Sequence, residues 1–103
     1  MKSAENLEHI KGVIIDMDGT IYIGEQLFPW TKKFLTSLEK AGIRRLFLTN
    51  NSAESTAEYA SKLRRLGINV EDSEILTAGW ATMHYLKSET SYQRIYLVGT
   101  PSL

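Results

Sequence analysis

Gly12-Val13-Ile14-Ile15-Asp16-Met17-Asp18-Gly19-Thr20 is the stretch on which the reading of the whole chain turns. Val13, Ile14 and Ile15 are a β-branched run of the kind that buried parallel strands carry. The run ends on two carboxylates spaced i, i+2 before a Gly-Thr turn. In open α/β sheets, ligands bind just beyond the carboxyl ends of the strands, so both acids are carried to that edge. The chain holds three aspartates, Asp16, Asp18 and Asp72, and two of them stand here. Neighbouring carboxylates repel unless a cation or a reaction makes use of them.

Four readings compete for the motif. A solvated turn that happens to hold two acids sits badly with the apolar strand feeding it. A calcium loop fails on its spacing: counted from Asp16, the fifth position is Thr20, the glycine position is Ile21 and the closing glutamate position is Leu27. A receiver-type regulatory domain also places one phosphorylated Asp at a strand end, but its further acids come from a separate loop, and none stands out before the first strand. The fourth reading is nucleophilic catalysis at phosphorus, in which one carboxylate attacks and the other handles protons.

A second constellation favours catalysis. Ile43-Arg44-Arg45-Leu46-Phe47-Leu48-Thr49-Asn50-Asn51-Ser52 is another apolar strand, and it ends in small hydrogen-bonding side chains. A parallel strand beside the first would put Thr49, Asn50 and Asn51 at the same carboxyl edge as Asp16. Hydroxyl, amide and backbone N–H donors there suit the equatorial oxygens of a phosphoryl group. The residues from Asn50 to Ser55 also cap the next helix well, and the two roles are compatible because a helix N-terminus is already an anion site. Asn50-Asn51-Ser52 fits the N-glycosylation pattern, but nothing else in the sequence points to secretion.

Together, Asp16-Met17-Asp18-Gly19-Thr20 and Leu48-Thr49-Asn50-Asn51 resemble motifs I and II of the haloacid-dehalogenase-like hydrolases. The doubled Asn is similar to the NagD and nitrophenyl-phosphatase branch, as are Tyr22, Leu27-Phe28-Pro29, Leu66-Gly67-Ile68 and Leu97-Val98-Gly99-Thr100-Pro101. The resemblance runs from about Ile10 to the end. It implies a Rossmann-like three-layer α/β sandwich with a parallel sheet, and Mg²⁺-dependent hydrolysis of a small phosphorylated metabolite through an aspartyl-phosphate. Asp16 would be the nucleophile, and Asp18 the acid that protonates the leaving oxygen and then activates water. Thr49, Asn50 and Asn51, with Gly19 in the turn, would hold the phosphoryl group. Mg²⁺ would take the Asp16 carboxylate and the Asp18 backbone carbonyl, which fits its preference for few carboxylates plus phosphate oxygens.

The departures from that family are large. Its pattern also includes a motif III Lys and a motif IV acidic pair on later strands, and neither occurs up to Leu103. Lys32, Lys33 and Lys40 fall in the first expected helix, Lys62 in the second and Lys87 in the third, none at the carboxyl end of a strand. Residues 1–103 therefore read as the N-terminal part of such a core domain, inactive alone. Only Ile21 to Pro29 separate motif I from the first helix, too few for a cap domain there, and a NagD-type cap would follow the strand ending near Gly99. The rival function is a non-catalytic fragment or a receiver-like domain that keeps the fold and binds an ion. Phosphate release from an aryl phosphate, with and without Mg²⁺, separates the two.

Composition excludes several other classes. Twelve basic and twelve acidic residues leave no electrostatic case for nucleic acid or an anionic membrane. No apolar run approaches the ~20 residues of a membrane span. With no Cys there is neither a disulfide framework nor a thiol catalyst, which fits the cytoplasm.

The expected organisation alternates strand and helix as one domain. The first nine residues read as a loose leader holding His9. Strand 12–16 leads through a turn region, 17–29, to a helix near 30–41 with Trp30, Phe34, Leu38 and Ala41 on one face and Gly42 as its stop. Strand 43–49 precedes a helix near 54–66 that turns Tyr59, Leu63 and Leu66 inward and stops at Gly67. A short strand near 74–77, a helix near 79–88 and strand 94–99 follow. Right-handed crossovers make the main strands parallel, with helices able to cover both faces. Trp80, Met83, Tyr85 and Leu86 read as helix packing rather than a binding box. His84 has no His or Cys neighbour and reads as a surface or packing residue. Lys62, Arg64 and Arg65 read as a solvated face, with Glu58 available for i, i+4 pairing. The first strand should lack a neighbour on one side, leaving Val13, Ile14 and Ile15 open to association and a homo-oligomer.

Overall fold

The computed structural model describes residues 8–101. Most of the expected leader lies outside them; His9 is exposed. The elements run β1 (Gly12–Asp16), a hairpin of β2 (Tyr22–Ile23) and β3 (Gln26–Leu27), α1 (Thr31–Lys40), β4 (Arg44–Thr49) and α2 (Thr56–Arg65). A 3₁₀ turn (Asp72–Glu74), β5 (Ile75–Thr77) and α3 (Ala78–Glu89) complete the order. β1, β4 and β5 form one parallel sheet in that spatial order. Gly12 lies opposite Arg44 and Asp16 opposite Leu48; Phe47 lies opposite Ile75 and Thr49 opposite Thr77. The fold is the α/β, Rossmann-like arrangement that the sequence implies.

The phase of the ladder decides what β1 offers on its open side. Arg44 N–H donates to the Lys11 carbonyl at 2.9 Å. In a parallel ladder that contact hands the odd residues of β1 to β4 and turns the N–H and C=O groups of Gly12, Ile14 and Asp16 outward. Side chains alternate as well. Ile15, Phe47 and Ile75 enter a core with Leu35 and Leu38 of α1 and Tyr59, Ala60 and Leu63 of α2. On the opposite face, Ile14 is 66% exposed and Leu48 40%.

Both helices thus cover one face, not two. The chain steps from β1 to β4 to β5 in one direction, and two right-handed crossovers in one direction lay their helices on the same side. The apolar exposure expected around Val13, Ile14 and Ile15 narrows to Ile14, since Ile15 is buried and Val13 packs against the core.

Three other expectations need correction. α1 buries Thr31, Leu35 and Leu38, while Trp30 and Phe34 are exposed and Ala41 lies outside the core. The two candidate stripes share Leu38 and differ by one residue at their start. Thr31 Oγ1 donates to the Ile21 carbonyl at 2.5 Å, which pins the threonine inward and satisfies its hydroxyl there. Trp30 stacks instead on Phe28, with ring centroids 4.7 Å apart.

No residue of α3 is buried, and Trp80, Met83 and Tyr85 are each more than half exposed. Trp80 stacks on His84 at 4.9 Å, which gives the histidine an aromatic partner.

Strand 94–99 does not form. Residues 91–98 have no regular structure, and Ile95, Tyr96, Leu97 and Val98 are exposed. β-propensity describes fit to a neighbouring strand, and a segment with no partner gains nothing from it. Thr100 Oγ1 donates to the Ala53 carbonyl at 2.6 Å, fixing the end of the segment beside the loop after β4. Among the described residues, no helix is long and apolar enough to cross a membrane.

Candidate active site

Met17 anchors the first motif. It is wholly buried while Asp16 and Asp18 on either side are exposed, so the core grips the motif between its two acids and turns both outward. The chain then bends sharply. Thr20 and Ile21 N–H both donate to the Met17 carbonyl, at 3.0 and 3.1 Å, and Gly19 N–H donates to the Tyr22 carbonyl at 2.8 Å. Gly19 takes φ +80 there, with open space where a Cβ would stand, so backbone strain rather than crowding selects glycine. Thr20 Oγ1 donates to Asp16 Oδ2 at 3.2 Å and orients that carboxylate.

The second motif reaches the same edge because Asp16 pairs with Leu48, one residue before Thr49. Thr49 itself is buried. Its hydroxyl accepts from Asn51 N–H at 3.1 Å and donates to the Tyr59 hydroxyl at 3.4 Å, so it shapes the turn from within. Asn51 Oδ1 accepts from Ala53 N–H at 2.9 Å, while Asn50 and Asn51 are both exposed beside the acids' edge. Ser55 and Glu58 then close a reciprocal capping box at the start of α2, with bonds of 3.3 and 3.2 Å. The structure therefore brings Asp16, Asp18, Gly19, Thr49, Asn50 and Asn51 to one edge. Thr49 faces inward, and the exposed donors are the asparagines.

Two buried tyrosines beneath the motifs escaped the sequence reading. Tyr22 is wholly buried, and its hydroxyl has no hydrogen-bond partner among the described residues. Burial, then the nearby Asp18 carboxylate, pushes its ionisation well above the ordinary tyrosine value. Burial also raises Tyr59, against the opposing hydrogen bond with Thr49. Tyr59 carried only a core signal, its i, i+4 spacing from Leu63. Nothing in sequence spacing links its hydroxyl to Thr49.

α2 also holds the hairpin. Lys62 Nζ sits 4.3 Å from the Tyr22 ring centroid, and Arg65 bonds Glu25 at 2.9 Å, which holds the Glu25 carboxyl below its usual range. Arg64 pairs with Asp72 at 2.8 Å. These cations are committed to specific partners rather than to Glu58, which the cap engages.

Asp16 and Asp18 supply hard oxygen donors of the type Mg²⁺ prefers. Among the described residues, no third His, Cys, Asp or Glu joins them. The donor set fits a magnesium ion held partly by substrate or water oxygens.

A parallel sheet with two acids and an amide-rich loop at one carboxyl edge defines an α/β hydrolase-type site, and comparison with known proteins places it. The family model described as haloacid dehalogenase-like hydrolase matches residues 13–103. The chain belongs to that family. It is 32% identical over 93 residues to the acid sugar phosphatase of Staphylococcus haemolyticus, covering 90% of this chain and 35% of the relative. The crystal structure of 4-nitrophenylphosphatase from Thermotoga maritima matches with a TM-score of 0.85 and 40% identity, over 93% of this chain and 37% of that one. The glycerol phosphate phosphatase of Mycobacterium tuberculosis, solved with calcium, matches at 0.75 and 30% identity, over 89% and 27%. The motif II similarity to the NagD and nitrophenyl-phosphatase branch holds in these matches. The chain spans little more than a third of the length of the relatives it matches.

Proposed function

We propose that the chain carries the nucleophilic and phosphoryl-binding part of a Mg²⁺-dependent phosphatase acting on a small phosphomonoester. The observation that carries this reading is the register of β1 and β4, which sets Asp16 and the loop after Thr49 at one edge. In this reading an Asp16 carboxylate oxygen attacks phosphorus, and the bond to the leaving oxygen breaks as Asp18 gives that oxygen a proton. Asp18, now a carboxylate, takes a proton from water, whose oxygen attacks the Asp16 phosphoryl group and frees phosphate. The Asn50 and Asn51 amides and the backbone N–H groups of the loop hold the phosphoryl oxygens, and Thr49 fixes that loop from below.

Mg²⁺ would be held by the Asp16 carboxylate and the Asp18 carbonyl. Bound there, it offsets the repulsion between an anionic nucleophile and an anionic substrate. The names of the relatives support phosphoric monoester hydrolysis, and the calcium in one of them supports a divalent cation site.

The test is phosphate release from 4-nitrophenyl phosphate and from sugar phosphates, with Mg²⁺ or EDTA, by a polypeptide spanning the length of the relatives. Turnover that ignores EDTA removes the metal from the reading. Absent turnover with every ester returns the chain to the non-catalytic alternative. That alternative has one observation in its favour for residues 1–103 alone. Among the described residues, neither a third acid nor a lysine reaches the catalytic edge.

A further inference from the structure

The open edge of β1 is self-complementary. We propose that in the 103-residue chain this edge pairs with β1 of a second copy, antiparallel, about a two-fold axis through Ile14. The inference is independent of the phosphatase reading. It starts from the outward backbone groups of Gly12, Ile14 and Asp16. In an antiparallel pair, hydrogen-bonded residues alternate with non-bonded ones, so a strand whose even residues all face outward matches a partner with the same parity. An axis through Ile14 sets Ile14 opposite Ile14 of the second copy and Gly12 opposite its Asp16. Every outward N–H and C=O of both strands then finds a partner, and two three-stranded sheets become one of six.

The side chains match in that register. On the face that α1 and α2 leave bare, Ile14 lies beside Leu46. The central row across the axis becomes Leu46, Ile14, Ile14 and Leu46, all apolar. The rows on either side place Leu48, Asp16, Gly12 and Arg44 in line. Gly12 has no side chain, so the exposed Arg44 can reach across it to Asp16 of the second copy. Neighbouring strands lie about 4.8 Å apart, so the reach spans roughly 10 Å from Cα to Cα, within the extended length of an arginine and an aspartate together. A shift of one residue would set bonded positions against non-bonded ones and place Arg44 away from Asp16. Pairing β1 with the β5 edge of the next copy would instead be head-to-tail and grow without closing.

Sedimentation velocity on the 103-residue chain over a wide concentration range tests the proposal. The expected result is reversible growth from 11.7 kDa to twice that mass and no further. Ile14→Pro removes an outward N–H without touching the ladder to β4 and should leave a folded monomer. Should that variant fail to fold by circular dichroism, Arg44→Glu decides: it sets like charges across the axis and should weaken the dimer at least tenfold. The chain has no cysteine, so Ile14→Cys adds a single thiol. A short bismaleimide should link two copies through it, and should not link copies of Ser37→Cys on α1. Several results would overturn the proposal: a monomer at every concentration, growth past the dimer, a dimer indifferent to both Ile14→Pro and Arg44→Glu, or no cross-linking at position 14.

Discussion

Asp16 and Asp18 sit two residues apart with Met17 buried between them, yet the proposed chemistry asks different things of each. Asp16→Asn should abolish phosphatase turnover in a polypeptide spanning the relatives' length, with the melting curve unchanged. Asp18→Asn should lower turnover by about 10²–10⁴-fold, the usual worth of general acid–base help. Near-normal activity in Asp16→Asn would show the nucleophile to lie elsewhere. A different signature belongs to the buried tyrosines. Both are raised above the usual value of about 10, so the folded state keeps its protons where the unfolded chain loses them. The resulting stability is whole below about pH 10 and is lost as pH climbs toward the folded values. Melting temperature should therefore hold to about pH 9.5 and fall above it, and Tyr22→Phe should blunt the fall. The acids were legible in sequence because their spacing is their signal. Tyr22 and Tyr59 acquire their meaning only when β1 and α2 pack together.

At the scale of elements, the strands and helices before residue 90 were legible because turn residues punctuate an apolar periodicity. Gly42 and Gly67, both with positive φ, mark where α1 and α2 stop. Which face of α1 turns inward was not legible, since stripes starting at Trp30 and at Thr31 have nearly the same period. The distinction is measurable by urea denaturation. Leu63→Ala, at a wholly buried site, should lower stability by about 2–5 kcal/mol. Phe34→Ala should lower it by about 1 kcal/mol or less, although the bulkier side chain is removed. Ser55→Ala breaks the capping box of α2 and should lower stability by about 1 kcal/mol. A loss at Phe34 equal to that at Leu63 would restore the aromatic stripe as the packed one.

For the molecule as a whole, the parallel sheet and the shared catalytic edge were readable from two motifs and their order. The bare face was not, because it follows from the direction in which successive crossovers step, and no local pattern encodes that direction. The metal site is partial in the same global sense. Calorimetry should find Mg²⁺ bound only weakly by residues 1–103, while a polypeptide spanning the relatives' length should bind it more tightly and melt higher in its presence. Tight binding by the short chain would show its two acids to be a self-sufficient site.

The ladder phase of β1 also sets a rhythm in time. In deuterated solvent, at dilutions where single copies prevail, the amide protons of Val13 and Ile15 are held by β4 and exchange slowly. Those of Gly12, Ile14 and Asp16 face the open edge and exchange fast. One short strand thus reports two clocks, residue by residue. As the chain is concentrated, the fast clock should slow toward the other.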